Sequence, residues 1–178
     1  MGGVITVESK ELQGTVFRVE LECERAEDLD VWAEDIATGA GVKEKATLLE
    51  GRCFLIAEDN VINAEILCEL LEMYGAESYV KTDGLQTVKA FSDAEAGTYD
   101  AILMDIQMPE MNGYEATRVI RKLSRPDAAE IPIIAMTANA FAEDVQASMD
   151  AGMTAHVAKP IDVHVLRSTL CRVLGIEE

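Results

Sequence analysis

From residue 51 onward the chain repeats one arrangement: a short apolar run, then a longer stretch with apolar residues at helical spacing. The runs are Cys53-Phe54-Leu55-Ile56-Ala57, Ala101-Ile102-Leu103-Met104, Ile133-Ile134-Ala135-Met136 and Ala155-His156-Val157-Ala158, with a weaker one at Ser78-Tyr79-Val80. They are continuous rather than alternating, as strands covered on both faces require. Between them, Ile62, Ile66, Leu70 and Met73 recur at helical spacing and Gly75 supplies a stop. Asp83-Gly84 opens a second helix through Leu85, Val88 and Phe91, and Gly113 leads a third through Ala116, Val119, Ile120 and Leu123, ended by Pro126. Phe141, Val145 and Met149 precede Gly152, and Asp162 is placed to cap a last helix through Val165, Leu166, Leu170 and Val173. Five strands alternating with five helices predict an α/β fold: a doubly wound, five-stranded parallel sheet with helices on both faces.

The first fifty residues follow a different pattern. Val4 to Val7 and Thr15 to Leu21 are β-rich runs joined by Ser9 to Gly14, which predicts a β-hairpin. Two strands alone are marginally stable, so the hairpin is expected to be a piece of something larger. Glu22, Glu24, Glu27, Asp28, Asp30, Glu34 and Asp35 then crowd a stretch ended by Thr38-Gly39-Ala40-Gly41, a solvated acidic linker with Trp32 as its large aromatic. The expected division is therefore 1–22, 23–50 and 51–178.

Composition removes several function classes. A formal net charge of -18 over 178 residues opposes a nucleic-acid-binding surface, which would be basic. No run is apolar enough to span a membrane and no signal peptide is visible, so the expectation is a cytoplasmic fragment without membrane contact. That leaves open a membrane anchor elsewhere in a parent protein. Cys23, Cys53, Cys68 and Cys171 are scattered, none in a CxxC pair, and are expected to be reduced thiols rather than zinc ligands.

The chemistry gathers where the predicted strands end. Glu58-Asp59 follow the first run, Asp105 the third, Thr137 the fourth, and Lys159-Pro160 the last. Ligands bind outside the carboxyl ends of the strands in such sheets, so three acids, a hydroxyl and an ammonium are expected to converge. Carboxylates about 4 Å apart repel by about 4 kcal/mol at an effective dielectric near 20. Such a set must take up a proton or a cation, and magnesium suits carboxylate and phosphate oxygens. Asp105 is the candidate nucleophile, since carboxylates can form acyl phosphates. Lys159 would pair with a phosphoryl oxygen and Thr137 would donate to one. Pro160 is expected to fix the turn carrying Lys159, a cis bond being one way to do so. Taken singly, each has a bland reading: a helix cap, a strand-end turn, a surface charge.

Ala57-Glu58-Asp59-Asn60, Met104-Asp105 to Gly113, Met136-Thr137-Ala138-Asn139-Ala140 and Asp150-Ala151-Gly152-Met153 to Lys159-Pro160 together resemble a response-regulator receiver domain, a flavodoxin-like fold, over residues 51–178. The resemblance implies Asp105 as phosphoacceptor, magnesium on Glu58, Asp59, Asp105 and the Gln107 carbonyl, and Thr137 and Lys159 as the residues that respond to phosphorylation. The aromatic switch position of the family falls on His156, a departure from the usual Tyr or Phe. Asn63 completes a Glu-Asp-Asn-x-x-Asn pattern similar to receivers of hybrid sensor kinases. Met1-Gly2-Gly3-Val4-Ile5-Thr6-Val7-Glu8-Ser9 with Gly14-Thr15-Val16-Phe17 resembles the last hairpin of a histidine-kinase ATPase domain, with Gln13 where a glycine is usual. The implied whole is the C-terminal part of a hybrid histidine kinase. Its receiver would take a phosphoryl group from the kinase dimerisation domain's phosphohistidine and pass it to a histidine phosphotransfer domain. The fragment itself lacks an ATP site and would assist only its own phosphoryl transfer. Three other readings stand beside this one: a receiver-like interaction module that is never phosphorylated, a flavin-binding domain, and an active kinase. Glu58-Asp59 would repel a flavin phosphate after the first strand, and the missing nucleotide site disfavours the kinase.

Overall fold

A computed structural model describes residues 3–10, 14–21, 48–138 and 142–176. The acidic stretch, Trp32, Cys23, Gln13, Asn139 and Phe141 lie outside the described residues. The chain divides into two compact units, 1–42 and 43–178.

In the first unit, β1 (Gly3–Lys10) pairs antiparallel with β2 (Gly14–Leu21), from Gly3 opposite Leu21 to Lys10 opposite Gly14. The strands run further toward the turn than the apolar residues alone predict. A cross-strand bond of 2.9 Å between the Ser9 and Thr15 hydroxyls accompanies the extension.

The second unit holds β3 (Cys53–Ala57), α1 (Val61–Met73), β4 (Glu77–Lys81), α2 (Gly84–Asp93), β5 (Ala101–Asp105), α3 (Gly113–Arg121), β6 (Ile133–Thr137), α4 (Ala142–Asp150), β7 (Ala155–Ala158) and α5 (Val163–Leu174). The five strands pair in parallel in the order β4-β3-β5-β6-β7. The chain steps outward from β3 to β4, then returns to the far side of β3 as β5. The strand order thus reverses between β3 and β5, where the carboxyl ends part and leave a cleft.

Side chains alternate between two apolar layers, as strand geometry dictates. Phe54, Ile56, Leu103, Ile134 and Met136 pack with Leu67 and Leu71 of α1 and Leu166 and Leu170 of α5. Leu55, Ile102, Met104, Ile133 and Ala135 pack on the other face with Phe91 of α2 and Ala116 and Ile120 of α3. Both β5 and β6 are buried throughout. Leu49, ahead of the first strand, is also buried in the first layer, and its N–H bonds the Tyr74 carbonyl at 2.8 Å.

Local signals set the helix ends. Asn60, Asp83, Asn112 and Asp162 each cap a helix with a side-chain oxygen, and Glu115 completes a capping box with Asn112. Gly175, left-handed at φ 66°, closes α5. Helix α1 departs from its expected face. It buries Ala64, Leu67 and Leu71, whereas Ile62 and Ile66 are 67% and 45% exposed. The helix is apolar on two sides, and the side with Ala64, Leu67 and Leu71 is the one that packs against the sheet.

Candidate functional site

The predicted site residues meet at the cleft between β3 and β5. Glu58 and Asp59 follow β3, Asp105 ends β5, Thr137 ends β6, and Lys159 follows β7. Oxygens of Glu58, Asp59 and Asp105 all lie within 4.8 Å of one another. The Lys159 ammonium reaches across to donate to Glu58 Oε2 and Asp105 Oδ2, each at 2.6 Å. Backbone bonds fix the approach. The Lys159 N–H donates to the Thr137 carbonyl at 2.7 Å, and the Glu58 N–H to the Lys81 carbonyl at 2.9 Å. The Lys159–Pro160 bond is cis.

The three acids occupy different settings. The Glu58 side chain has 0% exposure, Asp105 is buried and Asp59 is exposed. Glu58 Oε1 accepts from Asn63 Nδ2 at 3.0 Å and from the Asn60 N–H at 3.4 Å. Asp105 Oδ1 accepts from the Gln107 N–H at 3.2 Å. Burial lifts the Asp105 carboxyl above its usual range; Lys159 and the Gln107 N–H oppose the lift and Glu58 adds to it. Burial works to lower Lys159, but its bonds to Asp105 and Glu58 carry it above its ordinary value.

Counting formal charges, three carboxylates less one ammonium leave two negative charges at the cleft. The donors are all oxygen, two of the acids are buried, and Asp105 is held where ionisation is costly. Such a set fits a hard divalent cation.

The loop after β5 is closed on itself. The Gly113 N–H donates to the Ile106 carbonyl at 3.0 Å, and Gly84 at the start of α2 donates to the Met111 carbonyl at 3.1 Å. A Cβ at Gly113 would lie 2.2 Å from the Asp105 carbonyl oxygen, and one at Gly84 would lie 2.4 Å from that of Met111. Both positions therefore exclude larger residues through close backbone approach.

Thr137 is buried. His156 is half-buried and pairs with Ala135, so it shares a sheet face with Thr137 two positions along β6. Gln107 is exposed on the loop. An Asn just before a helical pattern signals the Asn60 side-chain cap, whereas its backbone N–H bond to Glu58 leaves no mark in the sequence pattern. Beside the acids, a mainly apolar groove of about 370 Å³ runs between α1 and β4, lined by Val61, Ala64, Cys68 and Val80. Cys53, Cys68 and Cys171 take part in no disulfide among the described residues.

Residues 54–170 match the model of the response regulator receiver domain family. Among curated proteins, the chain is 38% identical over 126 residues to the peroxide stress-activated histidine kinase mak1 of Schizosaccharomyces pombe, covering 70% of this chain and 8% of that protein. It is 32% identical over 170 residues to histidine kinase 1 of Arabidopsis thaliana, covering 78% of this chain and 14% of that one. The chain thus spans a small part of these relatives' length. Among solved structures, it resembles the receiver domain of the sensor histidine kinase PA1611 from Pseudomonas aeruginosa PAO1, determined with magnesium in its active-site cleft. That likeness has a TM-score of 0.63 and 37% identity, over 70% of this chain and 98% of that one. It also resembles a chain of the complex of the Saccharomyces cerevisiae histidine phosphotransfer protein Ypd1 with the Ssk1 receiver domain, at TM-score 0.64 and 25% identity, over 73% of this chain and 93% of that chain. On the family match and the shared fold, this chain belongs to the response regulator receiver domain family.

Proposed function

We propose that residues 51–178 accept a phosphoryl group on Asp105 from a phosphohistidine and, so modified, change their affinity for a partner. The observation that carries the reading is the placement of Lys159 on both Glu58 and Asp105, with Asp59 in the same cluster. An Asp105 oxygen forms the new bond to phosphorus as the phosphorus–nitrogen bond of the donor breaks. The electron pair returns to the imidazole, which takes up a proton. Lys159 neutralises a phosphoryl oxygen and keeps the attacking carboxylate in position, since phosphoryl transfer depends on alignment and charge neutralisation. Glu58, Asp59, Asp105 and the Gln107 carbonyl would hold magnesium, which when bound would supply positive charge to the phosphoryl oxygens.

Thr137 is the residue proposed to sense the phosphoryl group by donating its hydroxyl, and His156, on the same face, to follow its movement. The proposed donor is the dimerisation domain of a hybrid histidine kinase, and the proposed recipient a histidine phosphotransfer domain. Exposed Val61, Ile62 and Ile66 at the start of α1, next to the acids, suit the apolar face of a histidine-bearing helix. Residues 1–22 are read as the end of the kinase ATP-binding domain and 23–50 as a linker, in a parent with a cytoplasmic output end.

Incubation with a small phosphodonor and magnesium, followed by intact-mass measurement, tests the reading. The mass should rise by one phosphoryl group, and Asp105→Asn should abolish the gain. Modification that persists in Asp105→Asn removes the assignment.

A further inference from the structure

The two oxygens of Glu58 are committed to different tasks. Oε2 faces Lys159, which also holds Asp105, while Oε1 is turned back toward the start of α1. There it accepts from the Asn60 N–H and the Asn63 side-chain amide. Asn60 is the N-cap of α1, and its own side-chain oxygen takes the N–H groups of Ile62 at 3.0 Å and Asn63 at 3.2 Å. Asn63 is the third residue of the helix. In a capping box that residue is Glu or Gln, and its side chain reaches back to the N-cap N–H. Here Glu58, from the end of β3, accepts the N-cap N–H instead. The third position is then free of that task and must face a carboxylate. An acid there would repel it; an amide donates to it.

We propose that Asn63 is a positioning residue for the metal site: it anchors Glu58 Oε1 on α1 so that Oε2 alone is presented to the cleft. The inference rests on the proposed magnesium site and adds to it a residue that touches neither metal nor phosphoryl group. A carboxylate with no exposed side-chain surface needs partners on both oxygens, and Asn63 supplies the shorter of the two contacts on Oε1. Without Asn63 that oxygen retains the long Asn60 N–H contact, and the carboxylate gains freedom to rotate away from the cleft. Partners that orient a metal ligand commonly change metal affinity by about 10–100-fold when removed.

Calorimetric titration of the full chain with magnesium chloride alone tests the proposal. Asn63→Ala should weaken magnesium about tenfold, and Asn63→Gln, which keeps an amide donor, should recover part of the loss. The decisive arm is a double-mutant cycle with Glu58→Gln. If Asn63 acts through the Glu58 carboxylate, its replacement in that background should change affinity less than about twofold. A thermal melt of each variant without metal confirms folding, and Asn63→Ser replaces Asn63→Ala should the latter not fold. An unchanged magnesium affinity in Asn63→Ala, or the same tenfold loss with and without the Glu58 carboxylate, overturns the proposal. If the unsubstituted chain takes up no magnesium, the proposed metal site itself falls, which separates the two failures.

Discussion

Lys159 and Arg125 each hold a carboxylate at 2.6 Å, yet the two acids respond in opposite directions. Asp105 beside Lys159 is held above its usual range, chiefly by burial. Asp127 beside Arg125 is held below it, chiefly by the hydrogen bond from the guanidinium, with the Gly97 N–H assisting. Arg125 meets Asp127 with two nitrogens, stacks 4.0 Å from the Phe91 ring centroid, and donates to the carbonyls of Phe91, Ala94 and Glu95. One cation there serves one carboxylate with matched geometry. Lys159 instead divides a single ammonium between two carboxylates, one of them fully buried. The first arrangement is complete as it stands. The second retains a demand for positive charge, and a binding site for a cation and a phosphoryl group needs that demand.

Removing the complete arrangement should have the largest effect. Arg125→Ala, with its carbonyl bonds, its ion pair and its stacking lost together, should lower stability by about 2–3 kcal/mol in urea unfolding. Arg125→Lys should recover less than half, because a point charge cannot fork. A loss under about 0.5 kcal/mol for Arg125→Ala would place the clamp among ordinary surface contacts.

At the incomplete arrangement the sign should reverse. Asp105→Asn removes a charge that the fold disfavours and should raise stability by about 1 kcal/mol in buffer without divalent cations. Since the folded Asp105 value is raised, the native state takes up its proton before the unfolded chain does. The penalty is therefore present at neutral pH and is relieved as pH falls through the raised value. The stability gap between Asp105→Asn and the unsubstituted chain should close over that acid window. A gap that widens there would contradict the burial argument.

The smallest effect sharpens the contrast. Asp127→Asn should cost about 0.5 kcal/mol, as expected of a pair near the surface. With a depressed folded value, the Asp127 contribution is present above its ordinary 3.8 and is lost as pH falls through the depressed value. Its difference from the unsubstituted chain should thus persist at pH values where that of Asp105→Asn has begun to close.

The strands and the gathering of Glu58, Asp59, Asp105, Thr137 and Lys159 at one edge were readable because strand ends in a parallel sheet face one side. The inward face of α1 was not. Ile62, Ile66 and Met73 keep as good a helical period as Leu67 and Leu71, and only packing into the apolar layer shared with the strands and α5 separates them. Nor was the Arg125 clamp readable, since three of its acceptors are backbone carbonyls some thirty positions earlier and leave no mark on side-chain pattern. Asn63 could be picked out as part of a pattern, but its bond to Glu58 depends on how the end of β3 meets α1.

The close approach at Gly113 has a genetic consequence. Any side chain there must push against the Asp105 backbone itself, and at Gly84 against the loop that carries Gln107. In a saturation-mutagenesis screen for signalling, both glycines should therefore score with the carboxylates, as intolerant of every replacement. Neither carries a side chain that could react; each marks a place where one stretch of backbone must pass directly against another.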